Sequence, residues 1–154
     1  MDYSYIIRPA TTADHEQIAE IWHSSASLPT VGPDAMPTLE ELRRRLAMEF
    51  EAGWDVTVAA LAGDVVGFMA IKPREAVLDQ LFIRPGSLGA GLGRALPRHV
   101  MQAMPCGFTL YTRSANARAR RFYERAGLSV LREGLHPRNR DPVTYCAWTP
   151  AATG

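Results

Sequence analysis

The residues most suggestive of chemistry lie in a glycine-rich segment in the second half of the chain. The stretch 82-FIRPGSLGAGLGRAL-96 places Gly86, Gly89, Gly91 and Gly93 between an apolar strand-like run and a helix-like run. The first backbone N–H groups of a helix lack partners within it and lie at the positive end of its dipole. Glycine leaves those groups open to close approach by an anion. The segment therefore predicts a phosphate-binding turn rather than a slack surface loop.

The spacing of these glycines excludes the two commonest phosphate-binding motifs. A P-loop needs Lys followed by Ser or Thr after its last glycine, whereas Gly93 is followed by Arg94 and Ala95. A dinucleotide fingerprint reads Gly-x-Gly-x-x-Gly, whereas this chain has Gly89-x-Gly91-x-Gly93. A nucleoside triphosphate or a dinucleotide is therefore not the expected ligand.

A second motif, 116-NARARRFYERAGL-128, follows in the next predicted helix. Together, 81-LFIRP-85, 89-GAGLG-93 and this helix resemble the two signatures of the GNAT superfamily, the acetyl-CoA-dependent N-acetyltransferases. The opening 7-IRPATTADHEQIAEIW-22 is similar to the first strand and helix of the family, so the resemblance covers essentially the whole chain. One position departs from the pattern: Leu88 stands where the family usually has Arg or Gln.

The resemblance implies an N-acetyltransferase that moves the acetyl group of acetyl-CoA directly to a primary amine of a small-molecule acceptor. Two alternatives stay open. The acceptor could be a protein N-terminus or lysine, or the chain could be a non-catalytic acyl-CoA sensor that keeps the fold.

The resemblance also implies which residues hold acetyl-CoA. Backbone groups of the strand before the turn pair with the pantetheine arm, and an N–H near Leu81 polarises the thioester carbonyl. The turn holds the pyrophosphate, with Arg94 supplying charge in place of Leu88. The expected cofactor-binding residues are Leu81, Phe82, Ile83, Leu88, Gly89, Ala90, Gly91, Leu92, Gly93, Arg94, Asn116, Ala119, Phe122 and Tyr123. Asn116 could instead be a plain helix N-cap.

Two residues are the candidate catalysts. By resemblance, Tyr123 lies near the CoA sulfur, where a phenol can donate a proton to the departing thiolate; otherwise it is a half-buried aromatic of the helix stripe. Asp79 lies two residues before Leu81 within an apolar strand, where a carboxylate is costly unless it is solvated or paired. Asp79 is therefore the candidate base, although a bulge could give that face to Gln80.

The acceptor site is expected in the variable parts of the chain. Its candidate residues are Trp22, His23, Asp79 and His136, and a solvated or capping role is the alternative for each histidine. The run Arg43–Arg45 falls mostly off an apolar helical stripe, which favours a solvated face over contact with an anionic substrate.

The apolar pattern predicts one α/β domain of the α+β type over residues 1–154. The expected order is β-α-α-β-β-β-α-β-α-β-β, and the mid-chain hairpins argue against a doubly wound parallel sheet. The resemblance implies a mixed, mostly antiparallel sheet that is splayed at the CoA site. Thr12 or Asp14 is expected to cap the first helix, and Thr38 with Glu41 the second. Pro97 is expected inside the third helix. The last two strands are expected at 128-LSVL-131 and 143-VTYCAW-148.

Composition and charge narrow the possible binding partners and the location of the protein. The chain has 154 residues, with 17 basic and 16 acidic side chains, so net charge does not point to nucleic acid or to a membrane surface. The N-terminus lacks a signal-peptide pattern, and a cytoplasmic location is expected. Cys106 and Cys146 are in no metal-like spacing and are expected to be free thiols; no metal is expected. Family members often dimerise, so a homodimer is allowed, although nothing in this sequence indicates one.

Overall fold

The computed structural model describes residues 5–151, apart from the side chains of residues 88–90. Seven strands and four helices follow in the predicted order: β1 Tyr5–Pro9, α1 His15–Ala26, α2 Leu39–Glu51, β2 Asp55–Leu61, β3 Asp64–Lys72, β4 Val77–Ile83, α3 Leu92–Ala103, β5 Phe108–Arg113, α4 Ala117–Arg125, β6 Ser129–Leu135 and β7 Pro142–Trp148. Short 3₁₀ turns at Thr12–Asp14 and Pro85–Ala90 precede α1 and α3. The predicted α/β fold class is confirmed.

The strands form one sheet in the order β1-β2-β3-β4-β5-β7-β6, and all neighbours are antiparallel except β4 and β5. The parallel pair is joined only where both strands begin, at Val77 opposite Thr109. There the Thr109 N–H donates to the Ala76 carbonyl at 2.9 Å. Beyond that point the two strands separate, which is the predicted splay.

Apolar side chains pack on both faces of the sheet, because successive residues of a strand point to opposite faces. Phe68 packs with α1 and α2, whereas its neighbour Met69 packs with α3. Leu42 and Leu46 of α2 are each 1% exposed, as the helical stripe predicts. Apolar clusters pack on both faces of β3 and β4 in the middle of the sheet. This packing stabilises the position of β4 where it separates from β5.

The predictions for the N-caps of α1 and α2 have different outcomes. Thr38 caps α2, accepting the Glu41 N–H at 3.1 Å, as predicted. Neither Thr12 nor Asp14 caps α1 with its side chain, so that prediction was wrong. The Asp14 carboxylate instead accepts the Thr11 N–H at 2.8 Å and binds Arg8 at 2.7 Å, tying β1 to the start of α1.

The remaining elements agree with the sequence pattern except at their ends. Strand β6 runs to Leu135, four residues beyond the predicted end, because its pairing with β7 continues to the Leu135–Pro142 pair. Pro97 lies buried within α3 as expected. Both cysteines are free; Cys146 is buried and Cys106 is exposed. Over residues 5–151, no helix is long and apolar enough to cross a membrane.

Candidate active site

A cleft of about 780 Å³ opens where β4 and β5 separate. Its walls come from both separated strands, from α1, α2 and the loop between them, from α4, and from the turn between β6 and β7. This volume lies within the range of ligand-binding pockets, about 300–1,000 Å³. The fold therefore places residues far apart in sequence around one concave site.

The glycine-rich turn lies directly before α3, next to β4. Gly91 has φ 83°, a left-handed conformation that glycine adopts without strain, and it caps α3. A Cβ at Gly93 would meet Phe122 Cε2 at 3.4 Å. The N–H groups of Leu92 and Gly93 belong to the first helical turn and have no partner within the helix. Leu88, Gly89 and Ala90 complete the turn, but their side chains lie outside the described part of the structure. The unpaired N–H groups of the first helical turn and the missing Cβ atoms of Gly91 and Gly93 fit a phosphate group.

A bulge in β4 directs backbone donors into the cleft. Gln80 pairs with Ala70 and Leu78 with Ile71, so Asp79 between them has no cross-strand partner. Beyond the bulge, Arg84 donates its N–H to Val66 of β3 at 2.7 Å. Because N–H directions alternate along a strand, those of Leu81 and Ile83 point away from β3, toward the separated edge. This edge offers main-chain groups to a ligand lying along β4.

The bulge also orients Asp79, which lines the cleft. Its Oδ2 accepts the indole N–H of Trp54 at 2.7 Å and lies 3.8 Å from the Lys72 ammonium. Lys72 in turn lies 3.9 Å from a Glu49 carboxylate oxygen. Among the described residues, Asp79 Oδ1 has no hydrogen-bond donor. The carboxylate is thus held through one oxygen while the other is left to the cleft.

The start of α4 combines capping with a place in the cleft wall. Asn116 is 8% exposed, and its Oδ1 accepts the Ala119 N–H at 3.1 Å, so the plain N-cap role is present. Its amide NH₂ is a separate donor that the cap does not use. Both residues line the cleft, together with Phe122 and Tyr123 one turn further along.

Tyr123 packs against the core cluster that contains Cys146 while it lines the cleft. Its ring meets that of Phe122 edge-on, with centroids 5.2 Å apart. Burial raises the pKa of the Tyr123 hydroxyl well above its ordinary value of 10, and the neighbouring Cys146 thiol raises it further. The hydroxyl is therefore neutral throughout the physiological range and acts as a hydrogen-bond donor.

Aromatic side chains and an arginine also line the cleft. Trp22 and Trp54 are buried, with ring centroids 5.5 Å apart, and the Arg45 guanidinium lies 5.3 Å from the Trp22 ring centroid. The rings of His136 and Tyr111, both of which line the cleft, meet edge-on with centroids 5.7 Å apart. Burial, Arg113 and Arg138 hold the pKa of His136 below its ordinary value, so it is neutral at pH 7.

The structure brings most of the expected acceptor residues together. Trp22, Asp79 and His136 line the cleft, whereas His23 does not; its carbonyl accepts the Ser27 N–H near the end of α1. Leu92, Gly93 and Arg94 also lie outside the cleft lining, at the beginning of α3. The described residues contain no group of three or more His, Cys, Asp or Glu side chains placed to hold a metal ion.

The sequence predictions missed or misplaced several cleft residues. Arg45 belongs to the run 43–45, for which a solvated helix face was favoured, and Glu49, Lys72 and Tyr111 were not named. Arg45 and Glu49 carried a usable signal. Arg45 and Glu49 follow Leu42 at i+3 and i+7, so they share the face on which Leu42 and Leu46 are buried. A charged pair on an apolar helical face indicates a cleft beside the core. Tyr111 and Arg138 become neighbours only through the pairing of distant strands.

A sequence model described as the acetyltransferase (GNAT) family matches residues 16–128. The chain is 27% identical over 135 residues to a protein of Pseudomonas phage PaMx11 named 5-NmdU N-acetyltransferase, covering 84% of this chain and 91% of the relative.

Solved structures share the fold. YncA of Salmonella typhimurium, solved with its cofactor acetyl-CoA, superposes with a TM-score of 0.73 at 18% identity, over 98% of this chain and 96% of that one. The apo form of YjaB from Escherichia coli gives 0.72 at 25% identity, over 96% of this chain and 99% of that one.

Proposed function

Because the chain belongs to the acetyltransferase (GNAT) family and uses acetyl-CoA as its acetyl donor, we propose that it acetylates the primary amine of a small-molecule acceptor by direct transfer. The observation that carries the proposal is the opening between β4 and β5. It lies beside the glycine-rich turn, and Asp79 and Tyr123 line it. The name of the phage relative, an N-acetyltransferase, supports a nitrogen acceptor.

The chain offers a matching contact surface to each part of the donor. The turn from Leu88 to Arg94 would hold the pyrophosphate through backbone N–H groups at the positive end of α3. The pantetheine arm would lie along β4 at Leu81, Phe82 and Ile83, where main-chain groups face the cleft. Ala119, Phe122 and the free amide of Asn116 would cover the arm from α4.

Bound acetyl-CoA supplies an activated acetyl thioester. In the transfer, a C–N bond forms, the C–S bond breaks, the amine loses a proton and the sulfur gains one. The Leu81 N–H faces the cleft and would stabilise negative charge on the carbonyl oxygen.

Asp79 would take the proton from the acceptor amine, directly or through water. A lysine-like amine has a pKa near 10.4, so only about one molecule in two thousand is the free base at pH 7. Asp79 Oδ1 is the atom available for this purpose, since Trp54 and Lys72 both contact Oδ2. These two partners would also keep the carboxylate aimed into the cleft.

Tyr123 would hydrogen-bond to the departing sulfur. Because burial raises the pKa of its hydroxyl, complete proton transfer from Tyr123 to a thiolate is uphill. Hydrogen bonding to the developing negative charge does not require that transfer. We therefore assign Tyr123 to stabilisation of the leaving thiolate and not to obligatory proton donation.

The test is amine-dependent thiol release from acetyl-CoA across a panel of small primary amines, peptides with free N-termini, lysine peptides and 5-NmdU. Release with small amines and not with peptides is the expected result. Release with peptides alone would assign protein acetylation instead. Tight binding of acetyl-CoA without release for any amine would favour the sensor alternative.

A cytoplasmic location stays a prediction from the sequence, and a homodimer stays an arrangement that the family resemblance allows.

A further inference from the structure

The charges around the cleft do not balance at its acceptor end. Lys72 is paired with Glu49 and Asp79, and Arg113 with Asp141. Arg45, Arg118 and Arg138 also line the cleft, yet within residues 5–151 none of them lies within 4.0 Å of a carboxylate. Arg118 belongs to α4, on the side proposed for acetyl-CoA. Arg45 and Arg138 are the two unpaired guanidinium groups on the acceptor side.

These two cations act on the same part of the cleft although they come from different elements. Arg45 projects from α2, and Arg138 from the turn between β6 and β7. Both act to lower the pKa values of Tyr111 and His136, the edge-on aromatic pair that lines the same cleft. The two guanidinium groups therefore face the same part of the cleft, beside Tyr111 and His136.

This part of the cleft is also structurally prepared for a ligand. The Arg45 guanidinium lies over the Trp22 ring, with its Cζ 5.3 Å from the ring centroid, and this cation–π contact limits its freedom. The edge of a guanidinium carries N–H donors in a fixed fork that matches a carboxylate or a phosphate. A restrained fork loses less conformational entropy on binding than a free side chain would.

We propose that the acceptor carries an anionic group, a carboxylate or a phosphate, in addition to its amine, and that Arg45 and Arg138 bind this group. The inference rests on the proposed function, since it assigns the remaining part of the same acceptor. It places the amine toward Asp79 and the anion toward Tyr111 and His136, so that one molecule spans this part of the cleft. Neutral alkylamines would then be poor acceptors because they leave both guanidinium groups unpaired.

The test measures binding, which keeps it independent of turnover. Matched probes are titrated in the presence of CoA, and the fluorescence of Trp22 and Trp54 reports occupancy. The anionic probes are β-alanine, γ-aminobutyrate, ε-aminocaproate and O-phosphoethanolamine. Each is compared with its neutral counterpart, the carboxamide or ethanolamine.

In the unaltered protein, we expect at least one anionic probe to bind tenfold or more tightly than its neutral partner. Arg45→Met, which retains an apolar stem over Trp22, and Arg138→Gln should each reduce that preference to about twofold or less. Arg43→Met is the matched control, because Arg43 lies on the same helix but pairs with Glu16 at 2.6 Å. This control should retain the preference.

Equal binding of every anionic probe and its neutral partner would overturn the inference, as would a preference that survives loss of both Arg45 and Arg138. A carboxylate preference would identify an amino-acid acceptor, and a phosphate preference a phosphorylated amine. If the preference is found but no amine is acetylated, the anion site stands and the proposed transfer fails. If neutral amines are acetylated and no preference is found, the proposed transfer stands and the anion site fails.

Discussion

Tyr123 and Asp79 divide the proposed chemistry between two sides of one cleft. The phenol lies on α4, buried against the core, and the carboxylate lies on a bulge of β4, held by an indole and an ammonium group. Each residue is positioned by contacts that the transfer itself does not consume. Each residue can therefore be substituted to test its role while the fold is retained.

Replacing Tyr123 by Phe deletes only the hydroxyl and keeps the ring that packs against Phe122. We expect kcat to fall roughly tenfold or more, because the departing thiolate loses its hydrogen bond. The affinity for acetyl-CoA should stay near that of the unaltered protein. Thiol release and equilibrium binding of acetyl-CoA measure the two quantities separately, and an unchanged kcat would contradict the assignment.

Replacing Asp79 by Asn keeps the size of the side chain and its acceptor oxygen for Trp54 but removes the base. We expect kcat/KM for the amine to fall about a hundredfold at pH 7, within the usual contribution of a general base. The loss should shrink as the pH approaches the pKa of the amine, where the free base is abundant. A deficit that does not change with pH would indicate a structural role.

The candidate site could be predicted from sequence wherever the signal was local. Asp79 and Tyr123 each stood within a recognisable strand or helix motif. Arg138 and Tyr111 carry no such signal, since only the pairing of β5 with β7 brings their segments together. The hydrogen bond from Trp54 to Asp79 likewise joins residues 25 positions apart and has no sequence signature.

At the scale of elements, the turn before α3 depends on the left-handed backbone at Gly91. A side chain there would be strained at φ 83°, and its Cβ would lie 3.4 Å from the Tyr5 hydroxyl. For Gly91→Ala we expect acetyl-CoA affinity to fall about tenfold and stability to drop by about 1 kcal/mol. Calorimetry and urea unfolding measure these effects.

Gly86→Ala is the matched control in the same turn. A Cβ at Gly86 meets nothing within 4 Å, and its φ is not in the left-handed region. Both affinity and stability should be close to those of the unaltered protein. Equal losses in the two variants would mean that the turn tolerates no side chain anywhere, and that the backbone of Gly91 has no special part.

The link between β1 and α1 gives the fold a defined sensitivity to acid. Hydrogen bonds from Arg8, and further ones from Thr11, lower the pKa of the buried Asp14 from 3.8 to about 2. Since the folded pKa is the lower one, this stabilisation is fully present above about pH 4 and is lost as the pH falls toward 2. We expect Asp14→Asn to lower the free energy of unfolding by about 2 kcal/mol at pH 7.

Urea unfolding at pH 7 and at pH 3 measures the effect, and the difference between the two proteins should narrow at the lower pH. Glu16→Gln is the control, because Glu16 forms an exposed ion pair with Arg43 and should matter far less. A constant difference across this pH range would show that the charge of Asp14 is not the cause.

Element boundaries illustrate why local patterns sometimes fail. Strand β4 coincides with the apolar run 77-VLDQLFI-83, which ends two residues before Pro85, so both of its ends can be read from the sequence. Strand β6 could not be placed so well. Its residues are nearly all exposed, so it lacks the apolar alternation that marks a half-buried strand. Its length is set by pairing with β7, which is tertiary information.

At the scale of the whole molecule, the proposed function depends on a sheet that stops pairing partway along two strands. One core cluster contains Leu78 and Phe108 near the beginnings of β4 and β5, and the bulge at Asp79 turns the later N–H groups of β4 toward the opening. Composition and motifs predict the fold and the part of the cleft expected to bind acetyl-CoA. The acceptor side depends on which side chains four separate segments bring to the cleft, and it required the structure.

Direct transfer from acetyl-CoA to an amine is the central claim, and a single-turnover experiment with acetyl-labelled acetyl-CoA tests it. The protein is mixed with the labelled donor, with and without an accepted amine, and mass spectrometry follows the label. We predict that the label appears on the amine together with an equal amount of free CoA, and that the protein itself stays unlabelled. Label retained on acetyl-CoA whatever amine is supplied, or label accumulating on the protein before the amine, would contradict the account.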